Sequence, residues 1–231
     1  MCGRFAFYSS SEAAAALFRA QVVATVDPRY NIAPSENVAA IREPSSGRRE
    51  LVTLRWGLVP YWAKDPSIGH RLINARAESA AEKPAYREAF RKRRCLVLAD
   101  GFYEWRPGPG GKIPWFVSLA NGEPFAFAGL WERWRDRGTG EALETATIVT
   151  TAAQGFIAEL HDRMPVVLQR EQGDRWLAGD DGLLEEAAEH PPALRAWPVD
   201  RKVNGAGNEG AELIEPAGDT VTAKGNPATR R

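Results

Sequence analysis

Residues 95–135 read CLVLADGFYEWRPGPGGKIPWFVSLANGEPFAFAGLWERWR, and this stretch decides the fold class. Four runs rich in β-branched and aromatic residues follow one another: Cys95–Ala99, Phe102–Trp105, Ile113–Ala120 and Pro124–Trp134. Asp100–Gly101, PGPGG and the Gly122 region supply the breaks between them. Such residues suit a pleated, half-buried surface, and breaks this short leave no room for crossover helices, so neighbouring strands run antiparallel.

Working outward, ATIVTTAA (146–153), MPVVL (164–168) and LRAWPV (194–199) read as further strands, the last of these closing the set. Upstream, GRFAFY (3–8), the second half of YNIAPSENVAAI (30–41) and LVTLRW (51–56) read the same way. Helical signals are few and short. One helix follows a Ser10 or Ser11 cap with apolar Ala14, Leu17 and Phe18; another lies within residues 70–94 and ends in Arg91, Lys92, Arg93 and Arg94. Two more are expected at Gln154–Leu160 and in GDRWLAG (173–179), while residues 179–197 read as a long loop leading into the last strand. Many short strands with interspersed helices and no linker predict one α+β domain over residues 1–216, built around curved antiparallel sheet, followed by a Gly-, Thr-, Lys- and Pro-rich tail, 217–231, expected to be disordered.

Composition narrows the function classes. The 231 residues carry 30 Lys+Arg against 30 Asp+Glu, so no net charge advertises a polyanionic partner. The average hides an asymmetry, because residues 1–115 carry 18 basic against 11 acidic side chains and the remainder 12 against 19. Two cysteines, Cys2 and Cys95, make no disulfide framework, and with three histidines they make a poor zinc set, so neither a metal nor a cofactor is expected. No signal peptide or membrane-spanning run is read, which predicts a cytoplasmic protein without a membrane partner.

Cys2 directly follows the initiator Met1. Removal of Met1 would leave one residue with a free α-amine and a thiol, whose reference pKa values of about 7.7–8.0 and about 8.5 give each a reactive fraction at neutral pH. Such an aminothiol condenses with an aldehyde to a Schiff base and then closes a thiazolidine ring. The same residue in a frayed terminus would do nothing. Glu104, within GFYEW, has aromatic neighbours that would raise its pKa and suit it to acid–base work, unless it faces outward on an alternating strand. Asn74 and Arg76 lie in INARAE, where Asn74 could position a reacting oxygen or simply cap the helix that follows, and Arg76 could meet a phosphate or an acidic neighbour. His161, in ELHDRMPVVL, can exchange a proton near pH 7, with Asp162 to orient it and Arg163 to bind phosphate; His70 and His190 read as structural. Trp62, after Pro60 in a loop, could stack on a base, whereas Trp56 and Cys95 read as core.

Taken in order, MCGRF, RYNIAP, WGLVPYW, INARAE, ADGFYEW, LHDRMPVVL and GAELIEP resemble the SOS-response-associated peptidase (SRAP) family, proteins that crosslink to abasic sites, over essentially Met1–Pro216. The resemblance implies an α+β fold with a barrel-like β core and peripheral helices. It also implies Cys2 as the crosslinking residue, with Asn74, Glu104 and His161 as its catalytic companions. Arg4, Asn31, Pro34, Trp62, Arg76 and Arg163 fall where the family contacts DNA. The implied partner is single-stranded DNA containing abasic sites, with junctions to duplex as a further candidate and nucleoid association when on DNA; the sequence is silent on oligomeric state, for which a monomer is the default. The segment near Gly205–Gly207 departs from the family in lacking a Lys before its Asn-Gly pair. The competing expectation is an N-terminal-nucleophile Cys amidohydrolase or peptidase, which would need an oxyanion hole and an αββα sandwich.

Overall fold

The four β-rich runs of residues 95–135 form four consecutive strands in the computed structural model, which describes residues 2–44 and 47–222. In chain order the elements are β1 (Phe5–Phe7), α1 (Ser11–Leu17), β2 (Gln21–Val22), β3 (Arg29–Ile32), β4 (Asn37–Arg42) and β5 (Glu50–Trp56). There follow β6 (Asn74–Arg76), α2 (Ala77–Ala80), α3 (Arg87–Lys92), β7 (Arg94–Ala99), β8 (Gly101–Gly108), β9 (Gly111–Leu119), β10 (Phe125–Arg135) and β11 (Ala142–Ala152). The chain ends with β12 (Arg163–Pro165), β13 (Val167–Leu168), α4 (Arg170–Leu177), α5 (Leu183–Glu189), β14 (Leu194–Pro198) and β15 (Val221–Thr222).

Five strands close on themselves in the order β11-β10-β7-β4-β5 and back to β11. Closure removes the open edges that a sheet of this size would otherwise present. The closing contact is parallel, Thr145↔Arg55 and Ala146↔Trp56, so the expected antiparallel core is antiparallel except at this seam and at the short β2–β5 and β6–β11 pairings. Strand β11 is long enough to serve four neighbours: β10 then β12 along one edge, β5 then β6 along the other.

A second sheet, β15-β14-β9-β8-β1-β3, holds the β8–β9 hairpin. The chain leaves the barrel at Asp100–Gly101, makes that hairpin, and returns as β10 to pair with β7. Asp100 fixes the exit by accepting from the Tyr8 and Ser9 amides at 2.6 and 2.8 Å. Gly101 has no alternative there, since a Cβ would stand 2.1 Å from the Phe116 ring. The N-terminal strand β1 lies between β8 and β3, and its Phe5 ring packs edge-on against Trp56 at 5.2 Å and Phe127 at 5.5 Å. Burying one such ring contributes about 1.5–3 kcal/mol, enough to hold a chain terminus in place. Cys2 is consequently buried with this cluster and not frayed.

Three expectations are corrected. Residues 179–197 contain α5, whose Leu183, Leu184 and Ala187 are buried, because an apolar stripe inside an acidic segment docks on the core. The strand at 194–198 is not the last, since Val221 and Thr222 pair with Ala196 and Arg195. Order therefore extends past Pro216, helped by the Ala217 amide donating to Pro198 O at 2.7 Å; the rest of the expected tail lies outside the described residues. Among the described residues no helix is long and apolar enough to cross a membrane.

Candidate active site

Cys2 is held from two sides. Extending the β1–β8 register past Phe5↔Phe102 sets the N-terminal residues beside Glu104, and the Tyr103 amide donates to Arg4 O at 2.9 Å along that line. From the other side Asn74 Nδ2 donates to Cys2 O at 2.8 Å. Asn74 belongs to β6, which the parallel pairing Ile148↔Asn74 lays on β11. The residue at the N-cap of α2 is Arg76, so capping is not the role of Asn74. Its Oδ1 is buried without a hydrogen bond among the described residues, an acceptor facing no donor. Tyr86 steadies the strand by donating its hydroxyl to Asn74 O at 3.0 Å, and Trp56 Nε1 donates to Ile73 O at 2.9 Å just before it.

Glu104 is 2% exposed, on the inner side of β8 rather than the solvent side. Burial, with a smaller push from Asp162, raises its carboxyl to about 7 against the opposing charges of the terminal amine and Lys112. A carboxyl near 7 exchanges its proton readily at neutral pH. Burial also raises the Cys2 thiol well above its ordinary range, with the Glu104 charge adding to the effect. The sulfur is therefore a neutral thiol here.

His161 follows the 3-10 turn Gly155–Glu159 and shares a cleft of about 470 Å³ with Glu104, Trp105, Lys112 and Asn204. Its Nδ1 accepts from the Arg163 amide at 3.0 Å and lies 2.6 Å from Asp162 Oδ1. The first contact requires an unprotonated Nδ1 and the second a protonated one. Burial lowers the His161 pKa and so favours the neutral ring, in which the Arg163 amide contact leaves the proton on Nε2. The four residues expected to act together thus converge: Cys2 bonds to Asn74, feels the charge of Glu104, and Glu104 shares its cleft with His161.

The six residues expected to touch DNA separate into two groups. Trp62 is 41% exposed beside Pro84, whose carbonyl accepts from Trp62 Nε1 at 3.4 Å, and Arg76 is exposed two residues from Asn74. Pro34 is half-buried in a turn where Ser35 takes a φ of +74°. The others have internal partners. Asn31 is fully buried and donates to the carbonyls of Gly205 and Asn208 at 2.9 and 2.8 Å, so its side chain lies behind the surface. Arg4 Nη1 donates to Asn31 Oδ1 and Val203 O. Arg163 makes a bidentate pair with Glu78 at 2.6 and 2.9 Å and also reaches Thr150 O, binding α2 to β11 and β12. In the basic run, Arg94 stacks on Phe90 and Trp176 and Arg93 pairs with Glu132, which leaves Arg87, Arg91 and Lys92 exposed.

Lys112, Trp105 and Asn204 complete the cleft and were not singled out from the sequence. The signal available for Lys112 was a lone cation just after the PGPGG turn, on the hairpin that carries Glu104. No group of three or more His, Cys, Asp or Glu placed to hold a metal ion occurs among the described residues. Nor is the barrel the αββα sandwich that the competing amidohydrolase reading requires.

Comparison with known proteins follows the same lines. Residues 1–206 match the model of the family described as SOS response associated peptidase (SRAP). The chain is 41% identical to the abasic site processing protein YoqW of Bacillus subtilis, covering 93% of this chain and 99% of the relative. It is 34% identical to abasic site processing protein YedK of Escherichia coli, covering 94% and 100%. Among solved structures, a protein from Bacteroides thetaiotaomicron superposes with a TM-score of 0.82 at 24% identity, over 94% of this chain and all of the other, which bears on the fold alone. One from Bordetella bronchiseptica gives 0.74 at 27% identity, over 86% of this chain and all of the other.

Proposed function

This chain belongs to the SOS response associated peptidase (SRAP) family, and from that premise we propose that it captures abasic sites in single-stranded DNA by forming a covalent thiazolidine through Cys2. The carrying observation is the convergence of Asn74, Glu104 and His161 on a Cys2 that is held and not frayed. Relatives named abasic site processing proteins supply the substrate class.

Loss of Met1 frees the Cys2 amine beside the Asn74 amide. An abasic deoxyribose equilibrates between a closed hemiacetal and an open aldehyde. His161, with its proton on Nε2, donates to the ring oxygen as it opens, and the sugar hydroxyl so formed is held by the Asn74 Oδ1 acceptor. The amine attacks first, because the thiol is held neutral by burial. Carbinolamine loss of water gives the Schiff base. Sulfur then adds to the imine carbon, its proton passing to the Glu104 carboxylate and on to the nitrogen. One aldehyde and one aminothiol give one thiazolidine and one water, with no oxidant or metal. The adduct keeps the sugar from the β-elimination that would cut the strand. An intact base would occupy the space that Cys2 needs, which confers selectivity for the lesion. Trp62 and Arg76 offer a stacking surface and a phosphate contact for a single strand.

The test is incubation with a single-stranded oligonucleotide in which one uracil has been excised, followed by a denaturing gel. The expected result is a band of retarded protein–DNA adduct that Cys2→Ala abolishes. An adduct undiminished by Cys2→Ala would overturn the assignment, as would hydrolysis of glutamine or a peptide amide with no adduct at all. Met1 must be removed, and any peptidase activity of the chain need extend no further than that step.

A further inference from the structure

Two side chains in the cleft have no part in the condensation. Lys112 stands on β9 just past the hairpin turn, exposed, and makes no ion pair among the described residues. Asn204 faces the same cleft from the 3-10 turn Arg201–Asn204. Its Oδ1 accepts from Trp105 Nε1 at 2.8 Å, and this fixes the orientation of the amide. The Nδ2 group is left as a donor without a partner among the described residues.

The two walls are braced into one unit. Arg201 crosses to the hairpin tip and donates to Gly110 O and Pro109 O, both at 2.9 Å. Arg4 and Asn31 hold the carbonyls of Val203, Gly205 and Asn208 from beneath. This accounts for the buried Asn31, whose network sets the position of Asn204. Such bracing means little reordering on binding.

We propose that Lys112 and Asn204 form a clamp for the phosphodiester adjoining the reacting sugar, a subsite that rests on the function proposed above. One cation and one neutral N–H donor suit a monoanion with several acceptor oxygens. A neutral sugar would not need the cation. The cleft also contains Glu104, whose carboxylate would repel an incoming phosphate, and Lys112 is the cation in the lining whose charge acts on it. It acts as a positioning residue, since it meets the backbone and not the reacting carbon.

The experiment measures equilibrium binding of the full chain to oligonucleotides carrying an unreactive tetrahydrofuran in place of the abasic sugar, and so does not depend on adduct formation. One set has native linkages; another has a neutral methylphosphonate at the linkage 5′ or 3′ to the tetrahydrofuran. Lys112→Ala and Asn204→Ala are each expected to weaken binding to native linkages about 5- to 10-fold, and Lys112→Ala to lower the salt slope by about 1. On one of the two methylphosphonates the wild type is expected to lose the same factor and Lys112→Ala to lose nothing further, while Lys112→Arg retains native binding. Wild-type affinity in Lys112→Ala, or an equal further loss in wild type and variant on both methylphosphonates, overturns the clamp. Failure of the proposed function reads out separately, as absence of a wild-type adduct on a true abasic site.

Discussion

Glu104 pits stability against chemistry. Its carboxyl is buried and its pKa lies near 7 in the folded protein, above the usual 4.5. A raised pKa means that folding favours the protonated form. Stability is full below the unfolded value and falls as pH rises through about 7, by an amount on the order of a few kcal/mol. The chemistry wants the opposite form, because the carboxylate takes the proton from sulfur. Glu104→Gln is therefore expected to raise the melting temperature at pH 8 while changing it little at pH 4, and to slow crosslinking by about 100-fold or more. In the parent the rate should climb with pH through about 7, and in the variant that inflection should vanish. Stopped-time adduct assays and thermal melts across pH check both halves. A Glu104→Gln protein that crosslinks at the parental rate would remove the acid–base role. At this scale the sequence offered candidate residues more readily than their contacts. INARAE offered Asn74 both as a cap and as a positioning group, and the β6–β11 pairing removes the cap. Arg163 looked free for phosphate because its partner, Glu78, lies far away in the chain.

Between residues and the whole, the loop joining β5 to β6 sets up the site. It begins at Gly57, with a φ of +128°, where a Cβ would lie 2.7 Å from Gly69 O. A small core of Val59, Ala63 and Trp134 then anchors it, with Trp134 Nε1 donating to Ala63 O at 2.8 Å, and this presents Tyr61 and Trp62 outward. Gly57→Ala meets both the conformational penalty and the clash, and is expected to cost about 1–3 kcal/mol, measured by denaturant unfolding. Trp62→Ala should leave the melting temperature unchanged and weaken binding of single-stranded DNA by about 1–3 kcal/mol, the usual contribution of one stacked base. A Trp62→Ala protein that loses stability in place of affinity would return this ring to a packing role. The strands of residues 95–135 were legible because each carries its own β-branched and aromatic signal between turn residues. The parallel seam between β5 and β11 was not, since register between segments about ninety residues apart leaves no local trace. Helix α5 was hidden by its acidic residues, and β15 by its brevity.

For the molecule as a whole, a net charge of zero conceals how the cations are used. Arg4, Arg93, Arg94 and Arg163 are committed to internal partners, so the excess of basic residues in the first half overstates the surface available to DNA. Arg76 is exposed and close to Asn74, and Arg76→Ala is expected to weaken single-strand binding and to lower the salt slope by about 1; an unchanged slope would mean that it meets no phosphate. With few such contacts, affinity for undamaged strands should be modest, and retention on DNA should come from the covalent bond.

That bond is tested most directly by intact mass spectrometry of the protein after reaction with an abasic single strand. The expected species equals the chain without Met1, plus the oligonucleotide, minus one water, linked through both the nitrogen and sulfur of Cys2 and withstanding borohydride unchanged. A crosslinked species that still carries Met1, or one linked through any other residue, would contradict it.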